Sequence, residues 1–60
     1  MSSKDLFKIL KEDGWILKAI AGSHHQFVHP IKKGKVTVPH PRKDLPDKTV
    51  MSILKQAGLK

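Results

Sequence analysis

The middle of this 60-residue chain is cut by Gly14, Gly22, Pro30, Gly34 and Pro39 into pieces too short to be helices, and that spacing constrains the fold more than any other feature. Between the breakers lie apolar segments rich in strand formers: Trp15 to Ala21 ("WILKAIA"), His24 to His29 ("HHQFVH") and Val36 to Val38 ("VTV"). Gly22-Ser23 supplies a turn between the first two. Pro30 closes the second, residues 32–35 ("KKGK") make another turn, and Pro39 ends the third. Three successive strands with short connections make an antiparallel meander.

The flanks read differently. Ser2 or Ser3 can cap a helix with Asp5 in its first turn, and Leu6, Phe7, Ile9 and Leu10 recur at the spacing of one apolar face. Gly14 closes that helix, which is expected over residues 3–13. After the turn-rich "PHPRKDLP", Asp47 is expected to cap a second helix with Val50, Met51, Ile53, Leu54 and Ala57 on one face, and Gly58-Leu59 to end it. Each helix has a single apolar face, so both are expected on one side of the sheet. The fold class is therefore α+β: one domain over residues 1–60, helix, three strands, helix, with the sheet antiparallel and its other side open. Leu6, Leu10, Trp15, Phe27, Ile53 and Leu54 are the expected core.

A domain of this size removes only about 60% of its unfolded surface from water. With no cysteine there is no disulfide to offset the small core, a reducing compartment is the simpler setting, and a bound partner would add stability. No apolar run reaches the roughly 18 residues needed to span a bilayer, and the first residues do not resemble a secretory signal. The chain is expected to be soluble and cytoplasmic.

The formal net charge is +7, with a pI near 10.1. Its distribution matters more than its size. Residues 1–13 are balanced, whereas residues 14–43 contain no acid and carry Lys18, Lys32, Lys33, Lys35, Arg42, Lys43 and all four histidines. Solubility does not require segregating the acids in this way. A field of one sign on part of a small fold attracts polyanions, of which nucleic acid is the commonest.

Alternation along a strand places His24, Gln26 and Val28 on one face and His25, Phe27 and His29 on the other. Phe27 belongs in the core, so His24 is expected to look outward, unless a bulge beside Gly22 reverses the assignment. An exposed strand histidine in a basic protein is commonly a plain surface residue. Among lysines, however, an imidazole that exchanges a proton near neutral pH meets phosphate, and the matching chemistry is RNA strand scission. A zinc site built from His24, His25, His29 and His40 is disfavoured because adjacent strand histidines diverge and no Cys-x-x-Cys or His-Glu-x-x-His spacing exists. A Ser23-His24 nucleophilic pair lacks an acid within residues 14–43 to orient it. Phe7, Trp15 and Phe27 are spaced as core residues of three elements, not as a base-stacking platform, so nucleic-acid recognition would rest on charge and shape.

Taken in order, "GW" after the first helix, "GSHH" after the first strand, "HP" after the second, "VTVPHP" at the third and the closing "ILKQAGL" resemble the HicA family, small mRNA interferase toxins of toxin-antitoxin modules. The resemblance spans residues 6–59. It implies a fold similar to double-stranded-RNA-binding domains and RNA cleavage without a metal or other cofactor. It further implies His24 as the active residue, with His25 the alternative, Gly22 and Ser23 as its turn, and inhibition by an acidic antitoxin of the HicB family. The chain departs from the family at Ala19, where a basic residue is common, and at Gln26, where an apolar one is. Lys18 or Lys32 is then left to make the phosphate contact.

The resulting expectation is an endoribonuclease toxin, with His24 as general base or acid, Gly22 and Ser23 shaping its turn, and Lys18, Lys32, Lys33 and Lys35 binding RNA phosphate. The alternatives are a non-catalytic module that recognises RNA by shape and charge, and an interaction protein whose only ligand is an acidic partner.

Overall fold

The computed structural model describes residues 1–60 and has the expected order: α1 (Ser3–Glu12), β1 (Ile16–Ala21), β2 (His24–Val28), β3 (Val36–Pro39) and α2 (Asp47–Gln56). The strands form one antiparallel sheet in the order β1-β2-β3.

Helix α1 begins with a complete capping box. Ser2 Oγ accepts from the Asp5 N–H, and the Asp5 carboxylate accepts from the Ser2 N–H. Both helices end in the same way. Trp15 N–H donates to Leu10 O across Gly14, and Leu59 N–H donates to Leu54 O across Gly58, with the two glycines at positive φ. The start of α2 differs from expectation. Pro46, extended at φ −56° and ψ 146°, occupies the capping position with no side-chain bond, and Asp47 is the first helical residue. Pro46 O still accepts the first helical bond, from Val50 N–H, while Asp47 contributes only its charge beside the helix's positive end.

The core contains Leu6, Leu10, Trp15, Phe27, Ile53 and Leu54, as expected, together with Val36, Val38, Leu45, Val50 and Ala57. Phe27 pairs with Val36 and His25 with Val38, so these four share one face of the sheet, and both helices pack on that face. Met51 departs from the expected apolar face of α2. It is 40% exposed, because a residue next to Val50 points about 100° away around the helix. Phe27→Ala should cost about 3–5 kcal/mol, comparable with the whole stability of a domain this small, and circular dichroism should show it largely unfolded.

The helices lie against β3 and β2, and β1 is an edge strand whose six residues are all exposed. A bulge at Lys18, between the Leu17–Phe27 and Ala19–Gln26 pairs, shifts its alternation and places Leu17 and Ile20 on the helix-side face of the sheet. The irregularity therefore lies in β1, and β2 keeps its alternation through His24.

Candidate functional site

The four histidines end in four environments. His24 opens β2, directly after the turn at Gly22 (φ 61°) and Ser23, and is exposed on the open face, where it pairs with Ala21 and Pro39. The turn is tied to the end of β3 by His40 N–H donating to Ser23 O at 2.7 Å. Ala19 pairs with Gln26 on the same open face, two pairs further along the sheet.

His25, on the opposite face, stacks on Phe7 at 5.4 Å between ring centroids and meets the His40 ring edge-on at 4.8 Å. Its Nδ1 is buried without a hydrogen-bond partner. The His40 Nδ1 lies 2.7 Å from Ser3 Oγ, and the buried Ser3 hydroxyl also accepts from Arg42 N–H. This half-buried cluster joins the start of α1 to the β3–α2 connection.

His29 has both ring nitrogens in use. Its Nδ1 accepts from the N–H groups of Ile31 and Lys32, so Nε2 carries the hydrogen and donates to Asp13 O at 2.7 Å. Beside it, Lys32 Nζ donates to Asp13 Oδ2 and, at 3.0 Å, to Ala57 O. One ammonium thus sits at the carboxyl ends of both helices, where the backbone leaves partial negative charge. Hydrogen bonding from Lys32, assisted by the indole N–H of Trp15, holds the Asp13 carboxyl below the usual carboxylate range.

The expected site residues divide between these regions. Gly22, Ser23 and His24 come together at one end of the sheet, and Lys18 is the bulged residue of the neighbouring strand. Lys32, Lys33 and Lys35 lie in the β2–β3 connection, which leaves the other end of β2, about 13 Å of strand from His24. Lys33 and Lys35 are exposed, whereas the Lys32 ammonium is occupied as described. Sequence reasoning missed the roles of Lys32 and His40. Their partners lie 19, 25 and 37 residues away, and no local pattern signals them. No group of three or more His, Cys, Asp or Glu side chains is placed to hold a metal ion. No helix is long and apolar enough to cross a membrane.

Comparison with known proteins agrees with the fold. A search among curated proteins gave no match. A solved structure of a "HicA3 and HicB3 toxin-antitoxin complex" contains a chain similar to this one, with a TM-score of 0.85 and 31% identity over 100% of this chain and 97% of that one. The sequence model described as HicA toxin of bacterial toxin-antitoxin matches residues 3–59. With nearly its whole length matched in sequence and in fold, the chain belongs to the HicA toxin family.

Proposed function

We propose that the chain is an endoribonuclease, an mRNA interferase of a type II toxin-antitoxin system, that cleaves RNA without a metal and uses His24 as general base or acid. The observation that carries this reading is the single exposed imidazole at a glycine-serine turn, on the open face of a sheet formed by an acid-free, strongly basic stretch. In the forward step His24 takes the proton of a ribose 2'-hydroxyl, the 2'-oxygen bonds to the adjacent phosphorus, and the bond to the 5'-oxygen breaks. The leaving oxygen takes up a proton, and the products are a 2',3'-cyclic phosphate and a 5'-hydroxyl end.

Lys18, at the bulge of the neighbouring strand, supplies charge to balance that which develops on phosphorus in this reading. Lys33 and Lys35 extend the positive surface along the strand, and Lys32 adds its charge while its hydrogen bonds stay within the protein. The partner is an antitoxin of the HicB family, as in the complex that contains the similar chain. The site of action is the cytoplasm, where both messenger RNA and antitoxin are made.

A second reading has its own support. No side chain of the protein orients the His24 ring, which suits a module that binds RNA and leaves it intact. One experiment separates the two: labelled single-stranded RNA is incubated with excess chelator and either the chain or His24→Ala, both shown to be folded. Cyclic-phosphate ends formed by the chain and absent with the variant are the expected result. RNA bound and left intact by both proteins would establish the binding module.

A further inference from the structure

The end of the sheet that carries His24 holds a second basic feature. A cavity of about 410 Å³ opens between the start of α1 and residues 40–43, lined by Ser2, Lys4, His40, Arg42 and Lys43 among others. It contains no acidic side chain, unlike the two other surface clefts, which include Asp47 and Glu12. The acids nearest in the chain do not line it and have partners of their own: Asp5 accepts from the Ser2 N–H in the capping box, and Asp44 pairs with the Met1 amine. The chain's two ion pairs involve the Met1 amine and Lys32, so Lys4, Arg42 and Lys43 have no counter-ion in the protein.

His40 connects this cavity to the turn. Its backbone N–H holds Ser23 O, and it follows Pro39, the β3 partner of His24. Strand spacing and rise put the Cα atoms of His24 and His40 about 6 Å apart. Ser3 holds the ring through Nδ1, and Nε2 has no partner and is not buried.

From this arrangement we infer that the cavity is a second phosphate subsite, which takes a backbone phosphate of the RNA strand flanking the nucleotide at His24. Arg42, Lys43 and Lys4 supply the charge, and His40 Nε2 supplies a polar contact. The strand passes round the end of the sheet at the Ser23 turn. The substrate class rests on the proposed nuclease function; the charge and shape of the cavity do not. Because the lysines of the β2–β3 connection stand at the other end of β2, these residues add positive charge at the His24 end of the sheet.

The test is equilibrium binding of a short labelled single-stranded RNA to the full chain carrying His24→Ala, so that no turnover occurs, over a series of salt concentrations. Removing one phosphate-binding cation should reduce the slope of log K against log salt by about 0.7. Adding Arg42→Ala and Lys43→Ala should therefore lower the slope by roughly 1.4 and weaken binding at low salt by tenfold or more. Lys48→Ala, a cation beside Asp47 in another cleft, should leave both unchanged. All four side chains are exposed, and melting curves confirm that the variants fold. Inorganic phosphate alone should shift the NMR signals of the His40 ring and Arg42 in the same protein. An unchanged slope, or an equal loss with Lys48→Ala, overturns the subsite even if the wild-type chain cleaves RNA. Loss confined to Arg42 and Lys43 upholds it even if the wild-type chain cleaves nothing, in which case the nuclease reading alone falls.

Discussion

The two ends of β2 show how one residue type is put to opposite uses. At the far end, His29 is locked: its two ring nitrogens make three hydrogen bonds, Trp15 meets it edge-on at 5.2 Å, and the Cβ of any residue replacing Gly14 would lie 2.9 Å from its Nε2. At the near end His24 is exposed, and nothing lies within 4 Å of a Cβ placed on Gly22. An imidazole whose ring nitrogens are all taken up by backbone groups serves stability and is withdrawn from chemistry. One left at a turn costs the fold little and is available to a ligand.

The contrast can be broken most directly by replacing each histidine in turn. His24→Ala should lower RNA cleavage by 10²–10⁴-fold and leave the melting temperature nearly unchanged, because its side chain is outside the core. His29→Ala should do the reverse. It leaves two N–H groups without their acceptor, so about 2 kcal/mol of stability is lost, while cleavage per folded molecule, measured below the transition, stays close to that of the parent. A loss of cleavage in folded His29→Ala would mean that the two ends are coupled, and the division between them would fail.

The glycines sharpen the same comparison. Gly14→Ala meets a positive φ of 99° and the His29 ring together and should cost about 3 kcal/mol in denaturant titrations. Gly22→Ala, at φ 61° and in open space, should cost only about 1–2 kcal/mol. Equal losses would remove the steric part of the argument.

The smallest effect concerns pH. The Asp13 carboxyl is held below its ordinary value by hydrogen bonding from Lys32, so the folded state binds fewer protons there than the unfolded chain. The stability this contributes is present above the unfolded value, near pH 4, and is lost as pH falls through the lower folded value. Asp13→Asn should therefore lower the melting temperature modestly at neutral pH and flatten its decline in acid. An unchanged acid limb would show that the ion pair is solvent-screened to insignificance.

Much of the architecture was legible in the residues themselves. The spacing of Gly14, Gly22, Pro30 and Pro39 located the strands to within a residue, because those residues act on the backbone at their own positions. The outward facing of His24 followed from alternation once Phe27 was assigned to the core, and the bulge that would have reversed it fell at Lys18 instead. Local rules failed where the chemistry was not local. Asp47 looked like a cap because its side chain can act as one, yet the backbone enters α2 through Pro46. Lys32 looked like another surface cation, and only the convergence of both helix ends gave its ammonium an acid and a carbonyl to bind.

By itself, then, the sequence determined the order and approximate ends of five elements, the composition of most of the core, and the placing of His24 at the start of a strand beside a turn. These depend on propensity, periodicity and chain-breaking residues, all of which act over a few positions. Tertiary structure decided which cations remain free. It tied Lys32 to Asp13 across 19 residues, brought Ser3 to His40 across 37, and placed Lys4, Arg42 and Lys43 around one cavity at the His24 end of the sheet. Charge is a property of composition, but its availability depends on which groups the packed core brings within hydrogen-bonding reach.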